Sequence, residues 1–400
     1  MDLTTTAESL DAAVGRYFNI ESVTRGTGGK SDFLARYSGH LYSQDSAAAY
    51  DGLSESLRPL GVTPLFRKDS AGQAVILVPA LPQVKPSRVW INILLYVLTV
   101  LSVFFVGITY ASGGDLSAGA ISANLGLGLA YTVSLLGILT AHEFGHYLVG
   151  RYHKAAVSPP YFIPFPLPPF GTMGAVINMK RPPKNRRILL DIGIAGPLAG
   201  LVVAIPVLLI GLSLSKVGPL TLPTNPNMGL SMEGNSILYL LAKLAVFKRL
   251  LPAPASYAGV SPVLYWIRYF VTGQPFPNGG VDVMLHPVAW AGWAGILVTS
   301  LNLIPAGQLD GGHMLYVLFG AKGSRRVLPF ILVALVLLGF AWNGWWLWAA
   351  LVYFLVGRSY AEPLDQITPL DRRRKILAVM ALVIFVLVFT PVPLQEIIGH

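Results

Sequence analysis

The feature that most constrains this chain is a series of long apolar runs. Seven stretches carry few or no charged residues, and they span residues 90–112, 125–149, 188–213, 288–304, 327–342, 345–356 and 376–392. A helix that crosses a bilayer needs about 20 mostly apolar residues. Charged residues make up 12% of the chain, whereas soluble domains carry about 25%. We therefore expect an α-helical polytopic membrane protein with about six or seven transmembrane helices. The fifth and sixth runs are separated only by Asn343 and Gly344, so they could form two short helices, a hairpin or one broken helix.

Residues 1–86 precede these runs, and their pattern predicts a small soluble α+β domain. Apolar residues recur at helical spacing between residues 46 and 60. Short segments at 62–67 and 74–78 predict two strands joined by a turn at 69–72. Prolines at positions 79, 82 and 86 mark a linker. The predicted domains are thus this soluble unit and a transmembrane domain at 87–393.

Basic residues indicate the orientation in the membrane. If residues 1–86 are cytoplasmic, the loops on that side hold fifteen Lys and Arg residues, and the opposite side holds five, all in the long loop 216–285. The net charge of +10 is then explained by topology, so we expect no nucleic-acid partner. The N-terminus shows neither a signal-peptide nor a transit-like pattern. The predicted location is a bacterial plasma membrane with the N-terminal domain in the cytoplasm.

One segment of the long loop, residues 235–251, has helical spacing but is too basic to cross the membrane. Its apolar residues share one side, whereas Lys243, Lys248 and Arg249 lie elsewhere. Two interpretations are open: a helix at the membrane interface, or a packed surface helix.

Near the end of the second apolar run, the sequence HEFGH places two histidines four residues apart. In a helix, His142 and His146 share one face, so both imidazoles can bind one cation. Glu143 lies beside the first histidine, where its carboxylate can take a proton from a metal-bound water. Histidines inside a lipid-spanning helix are costly, which favours a functional role over a satisfied polar cluster. The motif predicts one Zn²⁺ per chain, with Glu143 as the general base.

This site needs a third ligand, because catalytic zinc usually has three protein ligands and an open position. The chain has no cysteine, so the ligand must be a histidine or a carboxylate. Asp191 and Asp310 are closest to the inner ends of the predicted core helices, and His313 lies one turn beyond Asp310. Asp191 could instead cap a helix or pair with a base, and His313 could be a structural neighbour of the site. His153 and His286 are expected to be interfacial.

The segment after the second run offers a way to hold a substrate. Prolines between residues 159 and 169 prevent a helix, and residues 171–177 could form an exposed strand edge. A substrate helix must unwind before its peptide bonds become accessible, and the unwound segment could pair with this edge. The alternative is an ordinary apolar hairpin that packs two helices. The predicted contacts are Gly171, Thr172, Met173 and Gly174.

Asn302 is a further candidate site residue, at the inner end of the fourth apolar run. Its side chain could donate a hydrogen bond to the developing oxyanion, or it could cap the end of a helix near Pro305.

Two motifs together resemble those of the site-2 protease family of intramembrane metalloproteases. They are HEFGH at 142–146 and NLIPAGQLDGG at 302–312, with a small-residue segment at 191–200 between them. The resemblance covers about residues 125–320, the expected catalytic core. It implies that His142, His146 and Asp310 bind zinc, that Glu143 is the catalytic base, and that the second, third and fourth runs form the core. The N-terminal domain and the proline-rich segment are similar to those of the plastid-type branch and its bacterial relatives.

The predicted function is hydrolysis of peptide bonds within or near the transmembrane segments of membrane-protein substrates, inside the lipid bilayer. One alternative is a polytopic metal transporter, but the hydropathy pattern shows no internal repeat of the kind many transporters carry. Another is a membrane protein that binds helices without cleaving them, against which the intact Glu143 argues. The sequence predicts neither the identity of the substrate nor the oligomeric state.

Overall fold

The structure is a computed structural model, and it describes residues 3–26, 33–69, 72–220, 229–257, 259–356 and 361–398. The first 79 residues contribute two helices and four strands. These are α1 (Leu3–Gly15), β1 (Phe18–Arg25), β2 (Ala35–Leu41), α2 (Ser46–Leu57), β3 (Val62–Asp69) and β4 (Gly72–Pro79). The strands form one antiparallel sheet in the order β1-β2-β4-β3. Both helices pack on the core of this sheet, which includes Tyr37, Leu53 and Phe66.

The predicted helix and strands of this region are present, with longer strands than expected. The helix ends at Leu57 and continues as a 3-10 turn to Leu60, after which Gly61 adopts a left-handed conformation. Residues 70 and 71 of the predicted turn lie outside the described residues. Helix α1 and strands β1 and β2 were not predicted, because their apolar residues are too sparse to give a clear period.

A segment from near the end of the chain completes the N-terminal core. We call residues 361–371 the strap. Leu364 and Ile367 pack against the N-terminal core, and the Phe66 amide donates to the Leu364 carbonyl at 2.9 Å. The strap also binds the segment before α5, since the amides of Leu364 and Asp365 donate to the carbonyls of Pro183 and Lys184, at 3.0 and 2.7 Å. It therefore ties the edge strand β3 to the start of α5.

Within the described residues, three helices are long and apolar enough to cross a membrane: α3 (Val89–Ala111), α4 (Ala118–Tyr152) and α5 (Arg186–Ser213). They match the first three predicted spans. Small residues allow α4 and α5 to pack closely, because a Cβ at Gly145 would lie 2.5 Å from the Ala195 carbonyl oxygen. This close approach brings the histidine face of α4 against α5.

The later apolar runs also form helices, which are α8 (Pro287–Asn302), α9 (Asp310–Leu338), α10 (Gly344–Leu351) and α11 (Arg372–Val388). Helix α9 bends at Gly320, whose φ is +70°. Helix α10 packs back on α9, with Trp345 and Val352 in one core with Leu335. Of the three arrangements considered for the fifth and sixth runs, the structure has the hairpin.

The long loop between α5 and α8 is folded over most of its described length. Strand β7 (Lys216–Pro219) pairs with β9 (Val281–Met284), and β8 (Gly229–Glu233) pairs with β10 (Leu394–Ile398). Helices α6 (Ile237–Phe247) and α7 (Pro262–Thr272) lie between β8 and β9 in the chain. None of these strands was predicted.

In helix α6 a basic residue is buried and apolar residues are exposed, which reverses the usual arrangement of a helix on a protein surface. Lys243 is completely buried, whereas Leu241 and Leu244 are exposed. The Lys243 ammonium lies 3.8 Å from a carboxylate oxygen of Asp282 and 4.4 Å from the centre of the Tyr239 ring. These partners explain how the lysine is accommodated inside. The exposed apolar side agrees with the interface interpretation of this helix.

Candidate metal centre

Three potential ligand atoms converge where α4 meets the start of α9. Nε2 of His142 lies 3.3 Å from Nε2 of His146. Oδ2 of Asp310 lies 3.3 Å from each of these nitrogens. The two histidines are adjacent because they are one helical turn apart on α4. Asp310 joins them because it is the first residue of α9, immediately after the turn that follows α8.

The three atoms fit a tetrahedral cation. A Zn²⁺ ion with ligand distances of about 2.0–2.1 Å holds its ligands about 3.3 Å apart, and all three separations match this value. Two nitrogens and one carboxylate oxygen are also ligands that zinc accepts. Among the described residues, this is the one group of three or more His, Asp or Glu side chains whose ligand atoms lie within 4.8 Å of one another.

A backbone carbonyl on α5 orients His146. Nδ1 of His146 donates a hydrogen bond to the carbonyl oxygen of Ile192 at 2.7 Å. A carbonyl can only accept, so Nδ1 carries the proton and the lone pair of Nε2 is directed toward the other two ligands.

Glycines on α5 make room for both imidazoles. A Cβ at Gly196 would lie 2.1 Å from Nε2 of His146, and one at Gly200 would lie 3.1 Å from Nδ1 of His142. The small residues of this segment therefore let α5 pass in direct contact with the two imidazoles.

A cavity of about 630 Å³ opens beside the three residues. Glu143 lines this cavity and is 6% exposed. Asn302 also lines it, and its side-chain nitrogen lies 3.4 Å from Nε2 of His142. His313 is a buried part of the same wall. The cavity thus holds the candidate base, the candidate oxyanion donor and the three candidate ligands together.

The proline-rich segment forms a two-stranded hairpin of β5 (Tyr161–Pro164) and β6 (Thr172–Val176). Ser102 of α3 donates a hydrogen bond to the Gly171 carbonyl at 2.6 Å, which attaches the hairpin to the bundle. The cavity is lined by residues 175–183. The predicted contacts Gly171, Thr172, Met173 and Gly174 lie just before this lining, and Met173 is 69% exposed.

Charged residues also line the cavity, two of which were predicted only as signals of membrane topology. Lys180 and Arg181 line it, together with Glu362 of the strap. Lys180 donates to the Lys85 carbonyl at 2.6 Å, and Arg181 donates to the Pro82 carbonyl at 2.8 Å. The proline-marked linker is thereby held next to residues that line the cavity. The position of Lys180 and Arg181 directly after the proline-rich hairpin was the sequence signal that could have predicted their place at the cavity.

Asp191, the other carboxylate considered as the third ligand, lies apart from the three converging atoms. Asp191 pairs with Arg374 of α11, as the alternative interpretation of that residue allowed. His153 contacts Asp191 at 3.0 Å. His286 precedes α8, where its Nδ1 accepts a hydrogen bond from the Val288 amide at 3.2 Å. Outside the membrane-spanning segments, hydrogen bonds from the Arg374 side chain and backbone hold the pKa of Asp371 below its usual value.

Comparison with known proteins identifies a family that this chain matches. The sequence model of peptidase family M50 matches residues 130–341, a range that contains both metal motifs. The chain is 31% identical over 270 residues to the probable zinc metalloprotease EGY1, chloroplastic, of Arabidopsis thaliana, which covers 66% of this chain and 43% of that protein. It is 28% identical over 338 residues to the probable zinc metalloprotease EGY1, chloroplastic, of Oryza sativa subsp. japonica. That alignment covers 78% of this chain and 52% of the rice protein.

The chain thus spans about half the length of these curated relatives. No solved structure matches it. The family match extends over more than half of the chain and agrees with the resemblance carried by the two motifs. The chain therefore belongs to peptidase family M50, the family of the site-2 proteases.

Proposed function

We propose that this protein is an intramembrane zinc metalloprotease that hydrolyses peptide bonds within or near the transmembrane segments of membrane proteins. The observation that carries the proposal is the convergence of His142, His146 and Asp310 beside Glu143, in a cavity within an apolar helix bundle. The names of the relatives describe zinc metalloproteases, which agrees with this activity.

In the proposed mechanism, His142, His146 and Asp310 hold the metal. Zinc bound there would polarise the scissile carbonyl and lower the pKa of a bound water. Glu143 takes a proton from the attacking water and later gives it to the leaving amine. Asn302 donates a hydrogen bond to the oxyanion that develops on the substrate, and its position beside His142 supports this role.

The hairpin is proposed to hold the unwound substrate. Residues 175–178 of this segment line the cavity, so a substrate strand paired beside them would pass next to Glu143. The predicted contacts at 171–174 belong to the same hairpin and would bind the part of the substrate that leaves the cavity. Replacing Ala175 with proline should reduce cleavage while zinc content stays unchanged, because proline removes a backbone donor from the strand. Unchanged cleavage would contradict this role.

We further propose a soluble domain at 1–86 in the cytoplasm and a transmembrane domain at 87–393 with about six or seven spans, in a bacterial plasma membrane. The catalytic core would be at about 125–320, with loop 216–285 on the outer side. The contacts within the structure support this orientation. Strand β3, residues 183–184 and the strap are joined by hydrogen bonds, and the charge bias assigns all three to the inner side. Strands β8 and β10 pair, and both are assigned to the outer side.

The orientation can be tested with single cysteines, because the chain has none of its own. Glu55→Cys, in the N-terminal domain, should be protected from an impermeant thiol reagent in intact cells. Val260→Cys, in the outer loop, should react. Both residues are exposed, so accessibility on each side should depend on the membrane alone. The reverse labelling pattern would contradict the orientation.

The activity is tested by measuring bound zinc together with cleavage of a transmembrane test substrate by the purified protein in lipid. Wild type should hold about one zinc and cleave the substrate. Glu143→Gln should keep zinc and lose cleavage, and Asp310→Ala should lose or weaken zinc binding. Substoichiometric zinc in wild type, or cleavage that persists in Glu143→Gln, would refute the protease mechanism. Wild type that neither holds stoichiometric zinc nor cleaves the substrate would favour a metal transporter or a protein that binds helices without cleaving them.

A further inference from the structure

The orientation of His146 depends on the position of one turn of α5. Its Nδ1 is held by the Ile192 carbonyl, which is part of the helix backbone and cannot adjust as a side chain can. In an α-helix this oxygen also accepts the amide four residues later, so its direction follows the helix axis. Any rotation or sliding of α5 relative to α4 would therefore move the acceptor away from the imidazole.

Asp191 immediately precedes Ile192 and is held by two other helices. Arg374 of α11 donates to both carboxylate oxygens, from Nε at 2.8 Å and from Nη2 at 2.6 Å. His153, the residue that follows α4, lies 3.0 Å from the same carboxylate. A bidentate guanidinium–carboxylate pair fixes both distance and direction.

The arginine is itself fixed in place. Asp371 caps the first turn of α11 by accepting the Arg374 amide at 2.9 Å, and it also accepts Nη1 of the same residue at 2.6 Å. The guanidinium is thus held between two carboxylates, one from α5 and one from the start of α11. Asp191 is largely buried, with 17% of its side chain exposed, so water screens these contacts only partly.

These contacts connect the end of α4, the beginning of α5 and the beginning of α11 next to the metal centre. The two histidine ligands are on α4, and His153, which directly follows α4, contacts Asp191. The next residue, Ile192, supplies the carbonyl that orients His146. We propose that Asp191, held by Arg374 and His153, is a positioning residue that sets the first turns of α5 so that Ile192 directs His146 to the metal. This inference rests on the proposed function, because it takes His146 as a zinc ligand.

The test uses the full-length protein and measures metal binding rather than cleavage. Arg374→Gln should weaken zinc affinity, measured by chelator competition, by about 10- to 100-fold, which is typical when a group that supports a ligand is removed. The visible absorption of the cobalt-loaded protein should also shift, because the geometry at the metal changes. Arg374→Lys should recover part of the affinity, since the charge remains but the bidentate contact is lost. Arg373→Gln, an exposed neighbour with the same change of charge, is the matched control and should match wild type.

Equal zinc affinity and equal cobalt spectra in Arg374→Gln and Arg373→Gln would overturn the proposal. If the Asp191–Arg374 pair only holds the two helices together, Arg374→Gln should lower the melting temperature but leave the cobalt spectrum of the folded protein unchanged. That result would also overturn the proposal. If Arg374→Gln does not fold, His153→Gln removes one contact and leaves the arginine pair in place, and it should still shift the cobalt spectrum. Failure of wild type to bind zinc would instead refute the proposed function.

Discussion

Replacing Gly196 with alanine should remove the metal-binding geometry of His146 without removing any ligand. The added Cβ would lie 2.1, 2.4 and 2.5 Å from three ring atoms of His146. Carbon atoms in ordinary contact are about 3.5–4.0 Å apart, so the ring or helix α5 must move by more than about 1 Å. Metal–ligand distances tolerate about ±0.2 Å, so this displacement exceeds what the site can absorb. Zinc affinity should fall by at least about 100-fold, the upper end for loss of a supporting contact.

The assay is chelator competition for zinc on purified protein, with thermal unfolding measured in parallel. Overpacking of a tight interior costs about 1–3 kcal/mol, so the variant should still fold with a lowered melting temperature. Gly137→Ala is the matched control. It changes an exposed glycine of α4 at which a Cβ meets nothing within 4 Å, and it should bind zinc like wild type. Wild-type zinc affinity in Gly196→Ala would refute the view that α5 lies in direct contact with the His146 imidazole.

Three further predictions concern other parts of the protein. Asn302→Ala should lower cleavage by about 10²–10³ with zinc content unchanged; a purely capping role would instead lower only the melting temperature. Burial raises the pKa of Glu233 to about 7. Its stabilisation is therefore complete below about pH 4.5 and is lost as the pH rises through 7, and Glu233→Gln should flatten this dependence in thermal unfolding. Arg67→Ala removes hydrogen bonds to the Pro363 and Leu364 carbonyls, so hydrogen exchange in β3 should increase by an amount equivalent to about 1–3 kcal/mol, whereas the exposed Arg58→Ala should leave exchange unchanged.

Features that depend on short-range geometry could be predicted from the sequence. The spacing of His142 and His146 is one helical turn, so their shared face follows from the helix period alone. The prolines between 159 and 169 exclude a helix, and the structure has a hairpin there. The position of Asp310 could not be predicted from local spacing alone, because its approach to α4 depends on the order and direction of several helices. The residue pattern left it among three candidates, and the family resemblance selected it.

Features that depend on distant partners could not be predicted. The burial of Lys243 in α6 opposes the usual rule for basic residues, and its partner Asp282 lies in strand β9, which gave no sequence signal. The pair of Asp191 with Arg374 likewise joins two helices that are far apart in the chain. Hydrophobic periodicity describes one helix at a time, so it cannot show which charges two helices bring together.

The strap has a consequence for the order in which this protein is completed during synthesis. Strand β3 is at the edge of the N-terminal sheet, and its partner at Phe66 is supplied by Leu364 and Asp365. The N-terminal sheet is synthesised before the strap, so it lacks part of its core until the strap residues have been translated. During that time an unpaired strand edge and apolar side chains remain uncovered, which exposes the nascent chain to misassembly. Closure of this unit is thus a late event, and it can occur only after the helices between residues 89 and 351 have been made.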